Sequence, residues 1–158
     1  MSEAMTKDFI TTTDNSITVA ATTEHVEDVT AFVDAIMEKY SAPMTDVVKV
    51  NIAIDELYSN IVKYAYMDEA TGNSMLGEAT LAVHAIEADG AVKGISLDFI
   101  DSGVPYNPLT LEDPLTNQSL EERDIGGLGL FIVKKQMDDV TYRYEDGHNI
   151  LTITKMFS

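Results

Sequence analysis

The most informative helical segment of the chain reads Asp55-Glu56-Leu57-Tyr58-Ser59-Asn60-Ile61-Val62-Lys63-Tyr64-Ala65-Tyr66. Apolar residues recur at three- and four-residue steps before and within it, and this spacing predicts a helix from Pro43 to about Ala65. At about 100° per residue, Glu56, Asn60 and Lys63 share one ridge beside the apolar stripe. The ridge therefore combines a carboxylate, an amide and an amine, although such a ridge alone also fits a solvated helix face.

Patterns on both sides of this helix predict the remaining elements. They are strands at 9–13 and 17–20, a helix at 24–40, strands at 76–88 and 92–100, a helix at 128–137, and strands at 140–144 and 150–156. Asp-Gly pairs at 89–90 and 146–147 favour hairpin turns. Paired strands with helices between them predict one α+β domain over residues 1–158: a two-layer α/β sandwich whose mixed, mostly antiparallel sheet has its helices on one face.

A second motif, Asp101-Ser102-Gly103-Val104-Pro105, follows the strand at 92–100. Because side chains alternate along a strand, Asp101 shares its face with Leu97 and Phe99. A carboxylate on that apolar face is at least partly buried, which is costly unless a hydrogen-bond donor is supplied. The amino group of a ligand would supply one, whereas Asp-Ser-Gly taken alone also fits ordinary turn chemistry.

A third motif, Gly126-Gly127-Leu128-Gly129-Leu130, opens the helix predicted at 128–137. Glycine N–H groups can approach an anion closely, and a helix N-terminus adds the positive end of its dipole, so this motif suits a phosphate group. The glycines fit equally well with a second explanation, in which they only make the start of the helix flexible and bind no ligand. The long aperiodic segment before the motif is typical of a lid or binding loop, and we expect a lid at about 102–125.

The three motifs share one explanation, which is binding of ATP with Mg²⁺. They supply an acceptor for an amino group, polar ligands for a metal and phosphates, a lid, and an anion-binding helix start. The sequence contains no Gly-x-x-x-x-Gly-Lys-Ser/Thr, so this is not the P-loop solution, and the protein-kinase motif set is also missing.

Composition limits the other classes of function. Ten Lys and Arg against 27 Asp and Glu give a net charge of -17, which opposes nucleic-acid binding and suits either solubility or a basic protein partner. The chain has no cysteine, which excludes disulfides and thiol catalysis and fits a reducing compartment. No uncharged apolar run approaches the ~20 residues of a membrane span, so we expect a cytoplasmic protein without a membrane partner.

The order Glu56-x-x-x-Asn60, Asp101-x-Gly103-x-Pro105 and Gly126-Gly127-Leu128-Gly129-Leu130 resembles the N, G1 and G2 boxes of the GHKL (histidine-kinase-like) ATPase superfamily. Residues 126–155 are similar, in particular, to the stand-alone anti-sigma-factor serine-protein kinases. The likeness extends from Ile17 to Lys155 and covers most of the chain.

This resemblance implies a role for each matching position. Asn60 would hold Mg²⁺ between phosphates, and Glu56 would act as the general base. Asp101 would accept the adenine amino hydrogen, Gly103 would let adenine approach, and Thr152 would support the base through water. Gly127 and Gly129 would present N–H groups to phosphate. The full set of other nucleotide-binding positions that the resemblance implies is Lys63, Pro105, Gly126, Gly127, Leu128, Gly129 and Leu130.

The function that the resemblance implies is that of an anti-sigma regulatory factor. Such a protein binds Mg-ATP, phosphorylates Ser or Thr of an anti-sigma-factor antagonist and sequesters a sigma factor. The alternative is an ATP-binding partner-switching module without kinase activity. A fragment of a sensor histidine kinase is disfavoured, because the sequence lacks a helix pair bearing a phospho-accepting His. The identities of the partners stay open, and a homodimer is allowed.

Overall fold

Six strands form one sheet in the computed structural model, which describes residues 8–67, 77–110 and 125–158. The strands are β1 (Ile10–Thr12), β2 (Ser16–Ala20), β3 (Glu78–Ala88), β4 (Ala91–Asp101), β5 (Asp139–Glu145) and β6 (His148–Met156). Their order across the sheet is β1-β2-β3-β4-β6-β5, and every neighbouring pair is antiparallel. The prediction of a mostly antiparallel sheet is confirmed, and the described sheet has no parallel pair, because β6 turns back from β5 to lie between β4 and β5.

The described helices are α1 (Val26–Lys39), α2 (Met44–Asn60) and α3 (Ile125–Gln136). A 3₁₀ turn at Thr23–His25 precedes α1, and a π-helical turn at Ile61–Ala65 continues α2. Pro43 stands immediately before α2 with extended backbone angles, as expected of a residue that starts a helix without an N–H to satisfy. Within the described ranges, no helix has the length and apolar character that crossing a membrane requires.

The hydrophobic core lies between the helices and one face of the sheet. Side chains at alternate positions of the strands point into it, so Leu97 and Phe99 are buried while Asp98 between them is on the open face. The main helical contributors to the core are Val29, Val33, Met37, Val50, Ile54, Leu57, Tyr58 and Val133. Each large apolar side chain buried here contributes roughly 1.5–3 kcal/mol, and their location confirms the predicted two-layer arrangement with helices on one face.

Both predicted Asp-Gly turns are hairpin turns. Asp89 and Gly90 have φ angles of 55° and 77°, and Asp146 and Gly147 have φ angles of 53° and 80°. Two consecutive residues with positive φ define a type I′ turn, whose twist matches that of the flanking strands. The turns therefore join β3 to β4 and β5 to β6 at the predicted places.

Most boundaries differ from the predictions by one or two residues, and two helix boundaries differ by more. The helix predicted to begin at residue 128 begins at Ile125, so its first glycines are already helical. Each glycine in a helix costs about 1 kcal/mol relative to alanine, and packing of α3 against α2 outweighs that cost. The helix predicted through Ala65 changes to π geometry after Asn60. Of the expected lid at 102–125, residues 111–124 lie outside the described residues.

Candidate functional site

Glu56 and Asn60 lie one turn apart at the C-terminal end of α2. The Asn60 amide nitrogen Nδ2 donates to Glu56 Oε2 at 3.3 Å, so the amide is held against the carboxylate. Within the described residues no hydrogen bond ends on the Asn60 amide oxygen, which leaves that oxygen available as a metal ligand. Lys63, on the π-helical turn, is exposed.

Gly129 of α3 lies directly against the Glu56 side chain. A Cβ atom built on Gly129 would fall 2.0 Å from Glu56 Oε1, which is far closer than atoms can approach. The absence of a side chain at Gly129 therefore lets the second turn of α3 lie close to the carboxylate in its present position. This contact brings the third sequence motif to the first.

The first turn of α3 can bind an anion. Because the helix begins at Ile125, the N–H groups of Gly126 and Gly127 are among those without an acceptor inside the helix. Gly129 is the fifth residue of the helix, so its N–H faces an acceptor in the preceding turn instead. Leu128 is half-buried and Leu130 is part of the core. The motif thus divides into two phosphate-suited glycines and residues that pack.

Asp101 is the last residue of β4 and lies on the core face of the sheet, where it is buried. Its Oδ1 accepts hydrogen bonds from the Gly103 N–H and from Asn149 Nδ2, both at 2.9 Å. Within the described residues no hydrogen bond ends on Oδ2. Burial raises the pKa of Asp101, while the hydrogen bonds from Asn149 and Gly103 and the electrostatic effect of His148 lower it. The carboxylate keeps one oxygen for a further donor.

Asn149 is a buried residue that the sequence analysis missed. It pairs with Asp101 across β4 and β6, and its amide nitrogen also donates to the Val104 carbonyl at 2.9 Å. Its amide oxygen accepts the Tyr106 N–H at 3.0 Å and the Tyr142 hydroxyl. The available signal was strand alternation, because Asn149 is a polar residue on the face of β6 that otherwise carries Leu151 and Ile153.

The loop after β4 packs against the end of the π-helical turn that continues α2. A Cβ on Gly103 would lie 2.1 Å from the Ala65 carbonyl oxygen, and the Val104 N–H donates to that same oxygen at 3.3 Å. The Tyr66 hydroxyl accepts the Ser102 N–H at 2.8 Å and donates to the Glu78 carbonyl. The resemblance implied that Gly103 lets adenine approach, and in the structure the place where its Cβ would lie is occupied by Ala65. Pro105 is exposed in this loop.

Thr152 is not part of this cluster. It pairs with Asp98 across β6 and β4, and its hydroxyl donates to Asp98 Oδ1 on the open face of the sheet. Asp98 and Asp101 are three residues apart on one strand, so they point to opposite faces. The resemblance implied that Thr152 supports the base through water, whereas strand parity directs its side chain away from Asp101. Asn149 is the β6 residue beside Asp101.

The three sequence motifs thus meet at the C-terminal end of α2 and the π-helical turn. Glu56 contacts the third motif through Gly129, and Ala65 contacts the second motif through Gly103. The groups present fit Mg-ATP: the Asp101 carboxylate can accept from an amino group, the Asn60 amide oxygen can bind Mg²⁺, and the first turn of α3 can bind phosphate. The Glu56 carboxylate lies against Gly129 in the second turn of α3.

Comparisons with known proteins show the family to which the chain belongs. Residues 19–155 match the histidine kinase-like ATPase domain family. The chain is similar to the serine-protein kinase RsbW of Bacillus cereus (strain G9842), with 25% identity over 137 residues that cover 84% of this chain and 79% of the relative. The serine-protein kinase RsbW of Staphylococcus aureus (strain MSSA476) is 26% identical over 136 residues, which cover 84% and 80% of the two chains.

Proposed function

The chain belongs to the histidine kinase-like ATPase domain family, and on that premise we propose that it is an Mg-ATP-dependent serine/threonine-protein kinase that acts as an anti-sigma factor. Its substrate is a Ser or Thr hydroxyl of an antagonist protein, and the same domain sequesters a sigma factor. The proposal places the protein in the cytoplasm, without a nucleic-acid or membrane partner.

The observation that carries this proposal is the convergence of the three motifs. Two glycines, Gly103 and Gly129, fit closely against Ala65 of the π-helical turn and Glu56 of α2. Loop, helix start and helix end then surround one place, although they are distant in sequence. A nucleotide site is expected to bring together a hydrogen-bond acceptor, a metal ligand and an anion-binding site. A purely structural domain does not require these groups to be close together.

Adenine recognition falls to Asp101 in this proposal. Its Oδ2 is the unpaired acceptor of a buried carboxylate, and the exocyclic amino group of adenine is a donor of matching chemistry. Gly126 and Gly127 face the phosphates with their N–H groups, and Lys63 has the charge and reach to approach them from the π-helical turn. Leu128, Leu130 and Pro105 shape and support the site without polar contact to the ligand.

Glu56 is proposed as the general base. The hydroxyl oxygen of the antagonist forms a bond to the terminal phosphorus of ATP, the bond from that phosphorus to the bridging oxygen breaks, and Glu56 takes the hydroxyl proton. Mg²⁺ held by Asn60 would neutralise charge on the phosphates. Asn60 also donates to Glu56 Oε2, so it limits the directions in which the carboxylate can point.

The kinase and partner assignments rest on similarity. The relatives named serine-protein kinase align over most of this chain, and the role of Glu56 as base comes from the resemblance of Glu56-x-x-x-Asn60 to the N box. The sigma factor and the antagonist come from the resemblance to anti-sigma-factor kinases. A net charge of -17 favours basic protein surfaces as partners and disfavours nucleic acid.

The decisive experiment compares Glu56→Gln with Asn60→Ala on a cognate antagonist. Glutamine keeps the shape beside Gly129 but cannot take a proton, so Mg-ATP affinity should stay near that of the parent while phosphoryl transfer falls by about 10²–10⁴-fold. Asn60→Ala should lower both Mg-dependent nucleotide affinity and transfer. If the parent binds ATP and antagonist but transfers no phosphate, the protein is instead an ATP-binding partner-switching module.

A further inference from the structure

Asn149 uses its entire hydrogen-bonding capacity at the end of β4. The two amide hydrogens go to Asp101 Oδ1 and to the Val104 carbonyl, and the amide oxygen accepts the Tyr106 N–H and the Tyr142 hydroxyl. Its side chain thereby connects β4, β5, β6 and the loop after β4. A side chain bonded in all four directions has one orientation only.

This orientation determines which oxygen of Asp101 is available. Oδ1 accepts both the Asn149 amide and the Gly103 N–H, so it is already occupied by two donors. A proton added to the carboxyl group would therefore reside on Oδ2. Protonation would turn the one free acceptor of Asp101 into a donor, and a donor cannot accept the amino hydrogen of adenine.

We propose that Asn149 is a positioning residue that makes the site selective for a 6-amino purine by keeping Asp101 Oδ2 free, ionised and fixed in direction. The inference rests on the proposed function, since it assigns adenine to Asp101. Asn149 acts through Asp101 and does not itself touch the nucleotide, because none of its polar atoms is left for a ligand.

Other groups around Asp101 do not take over this role. From β6, His148 can add positive charge near the carboxylate; from the end of the α2 segment, the Tyr66 hydroxyl is bonded to Ser102 and Glu78. On β3, Ala79 lies opposite Asp101, and Glu78 is exposed. Besides the Gly103 N–H, Asn149 is thus the described donor that bonds to the Asp101 carboxylate.

The test measures ATP and inosine triphosphate affinity of the full chain by calorimetry across the acid-to-neutral pH range. Inosine triphosphate carries a carbonyl oxygen where adenine has its amino group, so the parent should prefer ATP. Asn149→Ala should weaken ATP binding by roughly tenfold or more, the loss expected for a hydrogen bond to a charged group. The preference of this variant for ATP over inosine triphosphate should be smaller than that of the parent. The pH below which ATP affinity declines should be higher in the variant, because it lacks a hydrogen bond that lowers the pKa of Asp101.

A milder variant keeps the test valid if Asn149→Ala does not fold. Tyr142→Phe removes only the hydroxyl that helps orient the Asn149 amide, and it should reduce ATP preference in the same direction but less. Tyr144→Phe is the matched control, because Tyr144 is on the same strand and its hydroxyl makes no hydrogen bond within the described residues. It should bind both nucleotides like the parent.

The outcomes separate this inference from the proposed function. If the parent binds neither nucleotide at any pH, the proposed function fails. If the parent prefers ATP and both Asn149→Ala and Tyr142→Phe keep the same preference and the same pH dependence while only lowering thermal stability, Asn149 is a structural residue and the inference is overturned.

Discussion

The paired strands β4 and β6 carry an aspartate with a polar partner on each face of the sheet, and the two pairs differ in one respect. On the open face, Asp98 bonds to Thr152 through Oδ1 and lies 3.3 Å from His84 Nε2 through Oδ2, so both oxygens have partners. On the core face, Asp101 bonds to Asn149 through Oδ1 and leaves Oδ2 without a partner in the described residues. The two aspartates therefore differ in one acceptor, which has a partner on the open face and none among the described residues on the core face.

The core face also makes ionisation of its aspartate costly. Burial raises the pKa of Asp101, which shows that ionisation of this group is disfavoured by its surroundings. Among the described residues, Asp101 Oδ2 is not one of the fully buried polar atoms that lack a partner, so this oxygen is open to solvent and to a donor from a ligand. The core face, with one unpaired acceptor, is thus the face on which a donor ligand is expected.

The largest expected effect is on nucleotide affinity. Asp101→Asn should weaken ATP binding about 100-fold, because an amide can present a donor where adenine requires an acceptor and the charge is lost. Asp98→Asn is the matched change on the opposite face of the same strand and should leave affinity unchanged. Calorimetric titrations that show equal affinities for the two variants would contradict the comparison of faces.

A smaller effect is expected from the loop that closes the core-face end of β4. Gly103→Ala places a Cβ 2.1 Å from the Ala65 carbonyl, a backbone atom that can move only with its segment. We expect a loss of about 1–3 kcal/mol in the free energy of unfolding, measured with urea. In Gly129→Ala the new methyl group meets the flexible Glu56 carboxylate instead, so stability should change less. The reverse order would show that the loop is adaptable.

The pH dependence of stability should also distinguish the faces. Because the pKa of Asp101 is higher in the folded chain than in the unfolded chain, its stabilising contribution is fully present below the unfolded pKa and is lost as pH rises through the folded pKa. The amide that replaces this carboxylate in Asp101→Asn does not titrate. The stability of this variant relative to the parent should therefore increase from acid to neutral pH and then level off. A difference independent of pH would indicate that burial of Asp101 has no energetic consequence.

The smallest effect is expected on the open face. Thr152→Val keeps the shape of the side chain and removes its hydrogen bond to Asp98, which should cost no more than about 1 kcal/mol at this half-buried position. ATP affinity should be the same as in the parent, because Thr152 points away from Asp101. A marked loss of ATP affinity in this variant would restore the role that the resemblance implied for Thr152.

Local sequence patterns predicted most of the fold correctly. Helical periodicity identified α1 and α2, strand alternation identified β3 to β6, and Asp-Gly pairs located both hairpin turns. These features depend on residues close together in sequence, so the chain itself contains the information. The same alternation predicted that Asp101 faces the core, and the structure confirms that it is buried.

Register and close packing were decided by the tertiary structure. Whether Asn149 or Thr152 lies beside Asp101 depends on how β6 is aligned with β4, and a shift of one residue would have exchanged the two faces. The start of α3 at Ile125 and the contacts of Gly103 and Gly129 depend on segments far apart in sequence. The sequence determined which groups the site has, because composition and periodicity are local properties. Only the fold decided which of these groups meet, because contacts across a sheet or between helices join residues that are distant in sequence.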